Sequence, residues 1–174
     1  MKCLIVIDVQ NDFVTGSLGT AEAVAMLPHL LEKMESFEGA ILMTQDTHGA
    51  DYLGTQEGKM LPVEHCIKGT KGWLFPEEVE ALRESRGARV YEKPTFGSTR
   101  LVSDLKRLYD GNELESVELV GLCTDICVIS NALMIKAAVP ELPVYVDAAC
   151  CAGVTPEKHQ AALEVMRSCQ VIVE

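Results

Sequence analysis

Five consecutive apolar residues, Cys3-Leu4-Ile5-Val6-Ile7, run without a polar break into Asp8. A half-exposed strand alternates apolar and polar side chains, whereas a continuous run of this length reads as a strand covered on both faces, the middle of a parallel sheet. Parallel neighbours need crossover connections, and the sequence supplies one at once. Ala21 to Phe37 places Val24, Leu27, Leu30, Leu31 and Met34 on one helical face, and Ala40-Ile41-Leu42-Met43-Thr44 is a second buried strand, so the chain opens with a β-α-β unit. Further strands read at Arg89 to Glu92, Val117 to Gly121, Pro143 to Asp147 and Gln170 to Val173. Helices read at about Pro76 to Arg86, Thr99 to Tyr109, Cys127 to Ala138 and Pro156 to Ser168, with Ser98 and Thr155-Pro156 as N-terminal caps and Gly111 as a stop. This alternation predicts an α/β fold: a doubly wound, three-layer αβα arrangement around a six-stranded, mainly parallel sheet of order 3-2-1-4-5-6. No repeat or linker interrupts it, and residues 1–174 read as a single domain.

The charge balance narrows the partners. A formal net charge of −11 argues against nucleic-acid or anionic-membrane surfaces, which need clustered Lys and Arg, and favours small molecules or proteins. No apolar run is long enough to span a membrane. Seven cysteines, with no signal-peptide pattern, point to a reduced, cytoplasmic setting rather than a disulfide framework. The Cys123 and Cys127 spacing, with no second pair and no nearby His, is poor for a structural zinc site.

Ligands of doubly wound sheets bind at the carboxyl ends of the strands, and three chemistry-bearing residues sit just past such ends: Asp8, Lys93 and Cys127. Cys127 follows a strand and a tight turn and opens a helix, where unpaired N–H groups and the positive helix end favour a thiolate. Each residue also has an ordinary counterpart: a turn cap for Asp8, a solvated lysine for Lys93, a small buried hydrophobe for Cys127. Together they supply an acid/base, a cation to stabilise a thiolate, and a nucleophile. Thr47 to Trp73, about 25 residues without strand or helix periodicity, exceeds an ordinary connection and marks a functional loop. Around it lie Asp46 and His48, then Glu57, then Glu64 and His65, donors that suit zinc, manganese or iron; Glu64 competes with Glu57 as the third ligand. His29 and His159 fall in helical patterns and read as surface or core residues. Aromatic residues are only 5% of the chain, so Phe13, Trp73 and Phe96, each near a strand end or the loop, are candidate walls for a ring, with core packing as the alternative.

Taken in order, Ile7-Asp8-Val9-Gln10-Asn11-Asp12-Phe13, Asp46-Thr47-His48, Glu64-His65-Cys66-Ile67-Lys68-Gly69-Thr70, Glu92-Lys93, Gly121-Leu122-Cys123-Thr124-Asp125-Ile126-Cys127-Val128, Val146-Asp147-Ala148 and Pro156-Glu157-Lys158-His159 resemble the isochorismatase-like cysteine hydrolases, and among them the nicotinamidases. The resemblance implies the six-stranded fold read above, with Cys127 as nucleophile, Asp8 as the acceptor of its proton and Lys93 as the cation holding both. It further implies a cis peptide between Leu122 and Cys123, and an oxyanion hole made by the backbone N–H groups of Cys123 and Cys127. Asp46, His48, Glu57 and His65 match the family's metal ligands, for a divalent metal such as zinc, manganese or iron that holds a pyridine ring, with Phe13 along the ring. The implied reaction is hydrolysis of nicotinamide to nicotinate and ammonia through a cysteine thioester. The alternatives are another small amide, carbamoyl or vinyl-ether substrate, and a catalytically idle binding module. Two departures bear on the pocket: Phe96 follows Lys93 sooner than in most nicotinamidases, and Leu61-Pro62-Val63 lacks the aromatic residue some members carry before the last ligand. Family members often form homo-oligomers.

Overall fold

The computed structural model describes all 174 residues. Strand β1 (Lys2–Ile7) is buried from Cys3 onward, and its alternation divides it between two cores: Cys3, Ile5 and Ile7 on one face, Leu4 and Val6 on the other. Burying each such side chain contributes about 1.5–3 kcal/mol, so the opening run anchors both layers. A short helix α1 (Asn11–Val14) leads to α2 (Ala21–Ser36), whose first turn is capped by Thr20 Oγ1 accepting from the Ala23 N–H at 3.0 Å. The buried stripe of α2 is Ala23, Met26, Leu30 and Met34. Val24, expected on that face, points to water, because the helix docks one position round from the stripe the apolar spacing suggests.

Strand β2 (Ala40–Asp46) follows. The long loop is not structureless: it holds a 3₁₀ turn, Tyr52–Gly54, and a short helix α3 (Gln56–Met60), capped by Thr55 Oγ1 accepting from the Gly58 N–H at 3.0 Å. Then come α4 (Glu77–Ser85), β3 (Arg89–Lys93), α5 (Thr99–Asp110) and β4 (Ser116–Leu122). The helix expected from Cys127 begins differently, as a π-type turn over Thr124–Val128 that hands over to α6 (Ile129–Ala138). The chain ends with β5 (Val144–Ala152), α7 (Pro156–Ser168) and β6 (Ile172–Val173). Strand β5 runs five residues beyond the expected Asp147 because a register shift between Leu119 and Gly121 of β4 absorbs the polar interruption: Leu119 pairs with Val146, and Gly121 already with Cys151.

The six strands form one sheet, all pairings parallel, in the order β3-β2-β1-β4-β5-β6. The order reverses at β1, so the carboxyl ends of β1 to β4 open on one edge between the helical layers. In register, Asp46 ending β2 lies beside Lys93 ending β3, and Ile7 of β1 lies beside Gly121 of β4. No helix is long and apolar enough to cross a membrane.

Candidate active site

Asp8 leaves β1 with a left-handed backbone, φ 47°, held by its N–H donating to the Thr44 hydroxyl at 3.2 Å and to the Thr44 carbonyl at 3.3 Å. The Thr44 hydroxyl in turn donates to Asp8 Oδ1 at 2.7 Å, leaving Oδ2 aimed at Lys93 Nζ, 2.6 Å away. Lys93 Nζ also lies 3.4 Å from Asp46 Oδ1, donates to the Thr95 carbonyl at 2.9 Å, and is 3.6 Å from Cys127 Sγ. Asp8, Lys93 and Cys127 are 0%, 2% and 5% exposed, so this contact operates away from bulk water, where a pairing of charges is strong and an unpaired one costly.

The electrostatics correct one expectation. Burial, first, and the Asp8 charge, second, push the Cys127 thiol well above its ordinary value, and Lys93 only partly offsets them. The turn end does not make a resting thiolate here, because desolvation of a fully enclosed sulfur outweighs it. Asp8 is likewise raised, by burial against the pull of Lys93, which gives it more basic character than an exposed carboxylate. Burial works against the Lys93 ammonium, but the Asp8 and Asp46 carboxylates more than reverse it, so Lys93 stays charged. A protonated nucleophile beside a buried base and a fixed cation is an arrangement for proton transfer on demand.

Asp46 turns its other oxygen the opposite way. Its Oδ2 is 2.9 Å from His48 Nε2 and 3.5 Å from His65 Nε2, and Glu57 Oε1 lies 3.8 Å and 3.6 Å from the same two nitrogens. The Asp46, His48 and His65 donor atoms lie within 4.8 Å of one another. His65 Nδ1 lies 2.9 Å from the Val63 carbonyl, which places a proton on Nδ1 and aims Nε2 at the cluster, the nitrogen a metal would take once its own proton is displaced. Two imidazoles and two carboxylates fit a divalent metal. Glu64 is exposed and offers only its backbone carbonyl, to Ser17, whereas Glu57 stands beside both imidazoles, outside the close group of Asp46, His48 and His65.

A cavity of about 250 Å³ connects the two groups, lined by Cys123 and Cys127 on one side, Asp46, Glu57 and His65 on another, and Phe13, Phe96 and Ile126 between. Phe13 packs tilted against His65, ring centres 5.5 Å apart. The Leu122–Cys123 peptide is cis. Trp73, expected as a wall, is not in this cavity. Its carbonyl accepts from the Gln10 and Gln45 amides at 2.8 and 3.0 Å, and its indole N–H donates to Thr47 Oγ1 at 2.9 Å, turning the ring into a separate open groove of about 740 Å³ beside Val90. His29 is exposed on α2; His159 Nδ1 lies 2.7 Å from the Thr124 hydroxyl, bracing the π turn from α7.

Three residues escaped the sequence reading as site components. Fully buried Gln10 clamps the Asp46 backbone, its amide donating to the Asp46 carbonyl and accepting from the Asp46 N–H, both at 2.8 Å. Tyr52 packs edge-on against His48 and His65, with ring centres 4.8 and 5.0 Å apart. Asn131, fully buried in α6, donates to the Cys127 carbonyl at 2.8 Å and to the Phe96 carbonyl at 3.2 Å while accepting from the Ser98 N–H at 2.9 Å. The only signal for it was a polar residue inside an otherwise apolar helical stretch.

The Isochorismatase domain family model matches residues 2–174. The chain belongs to the isochorismatase family. Within it, the chain is most like the nicotinamidases. It is 29% identical over 188 residues to the nicotinamidase/pyrazinamidase of Mycobacterium tuberculosis, covering 98% of this chain and 97% of that one. It is 25% identical over 210 residues to the nicotinamidase of Schizosaccharomyces pombe, covering 98% and 91%. Among solved structures, it superimposes on the pyrazinamidase of Pyrococcus horikoshii in complex with zinc with a TM-score of 0.79 at 26% identity, covering 99% of this chain and 98% of that one. This isochorismatase-family member thus shares its fold with that structure over nearly its whole length.

Proposed function

We propose that this enzyme is a nicotinamidase, an amidohydrolase converting nicotinamide and water to nicotinate and ammonia. The observation that carries the reading is Lys93 Nζ lying 2.6 Å from Asp8 and 3.6 Å from Cys127 Sγ in a buried pocket beside a metal-competent donor set. Asp8 takes the thiol proton as Cys127 Sγ bonds to the amide carbon. The amide oxygen gains charge, and the N–H groups of Cys123 and Cys127 are assigned to receive it; one such donor is worth about 3–4 kcal/mol of barrier. Asp8 then returns the proton to the nitrogen as the C–N bond breaks, ammonia leaves, and a thioester remains on Cys127. Asp8 next takes a proton from the attacking water; the C–S bond breaks, nicotinate is released, and the proton returns to Cys127. Lys93 keeps its charge throughout and offsets the negative charge passing between Asp8 and Cys127.

Asp46, His48, Glu57 and His65 are assigned as holders of a divalent metal, with zinc the proposed identity and manganese or iron compatible with the same donors. When bound, such an ion supplies a Lewis-acid contact for the ring nitrogen or its water, fixing the ring for attack. Phe13 and Phe96 form the proposed ring walls. Residues 1–174 are proposed as one domain, working in the cytoplasm, with homo-oligomerisation open to sedimentation analysis.

Ammonia release from nicotinamide is the deciding assay, run on metal-replete protein, on chelator-treated protein and on Cys127→Ala. The expected result is turnover in the first alone. Turnover by Cys127→Ala equal to the parent would end the mechanism; no turnover by replete protein whose Cys127 still alkylates would end the substrate assignment.

A further inference from the structure

The substrate cavity does not end at solid core. Beyond it lies an open groove of about 630 Å³ bordered by His48, Gln56, Met60 and Pro94. Glu57, Leu61, Phe96 and Ile126 line both spaces, so the partition between them is one side chain thick. Phe96 is the largest of the four and sits three residues after Lys93.

The backbone around Phe96 is tied directly to the catalytic groups. The Thr95 carbonyl accepts from Lys93 Nζ at 2.9 Å. The Phe96 carbonyl accepts from Asn131 Nδ2 at 3.2 Å, and the same nitrogen donates to the Cys127 carbonyl at 2.8 Å. The Ser98 N–H donates to Asn131 Oδ1 at 2.9 Å, closing the far side of the segment. Asn131 is fully buried with all these bonds made, so its position is over-determined. The Phe96 ring, by contrast, is 42% exposed. Its main chain is held in register with the nucleophile while its ring stands between two spaces.

The apolar surface follows the same plan. Of the ten large hydrophobic side chains left exposed, Met60, Leu61, Phe96 and Val154 line one or both of these spaces. Apolar surface concentrated at a cavity mouth is favourable to cover with an apolar part of a ligand.

We infer that Phe96, positioned against the nucleophile by Asn131, is the specificity-determining wall of this site, and that, flanked by Leu61, Glu57 and Ile126, it keeps ring-substituted aromatic carboxamides out of the adjoining groove. Ring substituents on the edge facing Phe96 are therefore selected against, and the groove is latent space for larger amides. Asn131 is a positioning residue: it touches no substrate and acts by holding the wall and the Cys127 carbonyl in one frame.

The inference rests on the nicotinamidase reading and can fail without it. The experiment compares kcat/KM for nicotinamide with that for nicotinamides carrying alkyl groups of increasing size on the ring, in the parent, Phe96→Ala, Leu61→Ala and Asn131→Ser. A methylene's worth of space changes discrimination by about 10–200-fold, so Phe96→Ala is expected to raise the ratio of substituted to parent substrate by about 10-fold or more. Asn131→Ser is expected to shift the ratio the same way by a smaller factor, whereas a role confined to folding would lower both rates and leave the ratio still. Adding Met60→Trp to Phe96→Ala refills the groove and is expected to reverse the gain. Circular dichroism and alkylation of Cys127 check that each variant is folded, and Leu61→Ala tests the same partition if Phe96→Ala is not. An unmoved ratio in folded Phe96→Ala and Leu61→Ala overturns the inference. Failure of the parent enzyme on nicotinamide itself would instead overturn the reading beneath it.

Discussion

Asp8, Lys93 and Cys127 are readable in the sequence because each sits at or just past the carboxyl end of an expected strand, where a charged or nucleophilic group must be used or neutralised. Asp8→Asn should lower kcat/KM by about 10²- to 10⁴-fold, the usual worth of a general acid/base, without changing bound metal, since Asp8 lies outside the donor cluster. Parallel rate and metal analyses check this, and loss of the metal would contradict it. Of the residues that were missed, Gln10 and Asn131 act through partners distant in sequence: Gln10 and Asp46 are separated by 36 positions, Asn131 and Phe96 by 35. Nothing local marks such a pairing, and the same applies to Trp73, whose carbonyl is held by two amides and whose indole N–H by a hydroxyl that it meets only in the fold. His65 supplies a pH prediction. In the metal-free protein burial opposes its imidazolium, but hydrogen bonds to Asp46 and Glu57 win and raise it to about 10. A metal must displace that proton, so metal affinity should climb with pH up to about 10 and then level off. Competition with a chromophoric chelator across pH measures it; a flat profile would contradict it. By the same linkage, the imidazolium stabilises the metal-free fold fully below the ordinary histidine value of about 6.5. That contribution is lost as pH rises through about 10.

Strand and helix order followed from periodicity, because two-sided burial and crossover helices leave strong patterns. What periodicity hid is instructive. The π turn at Thr124–Val128 has helical spacing on paper, but its packing is decided by the Thr124–His159 hydrogen bond and by the Asp125 carboxylate accepting from the Val154 N–H at 2.9 Å. The helix α3 is only five residues, below the length at which spacing becomes informative. Gly121 shows why β4 ends as it does. Its φ is +115°, and a Cβ there would stand 2.2 Å from the Ile7 carbonyl oxygen on β1. Gly121→Ala should therefore cost more than the roughly 1–3 kcal/mol of a strained backbone alone, because the obstacle is main chain in the centre of the sheet. Chemical denaturation measures it, and a cost below about 1 kcal/mol would show that β1 and β4 can part.

For the molecule as a whole, the sheet order brings groups from residues 8, 46, 93 and 127 into one buried cluster, although no two of them are neighbours in the chain. That convergence was legible as soon as β1 was recognised as central, since the strands flanking a reversal point deliver their ends to a common crevice. The shape of the cavity was not legible, because its walls come from the loop after β2, the turn after β3 and the start of α7. Asp46 joins the two chemical halves: one oxygen faces Lys93 and the other faces His48 and His65. Its negative charge is also among the influences holding the Cys127 thiol up. A cation shared with Asp46 weakens that influence, so alkylation of Cys127 should reach half its maximal rate at lower pH in metal-loaded than in stripped protein. An identical midpoint in both would separate the two halves. Because such coupling is reciprocal, ionising the thiol must tighten the hold on the cation by the same factor that the cation favours ionisation. A single carboxylate thereby makes the occupancy of one site a record of the protonation of another.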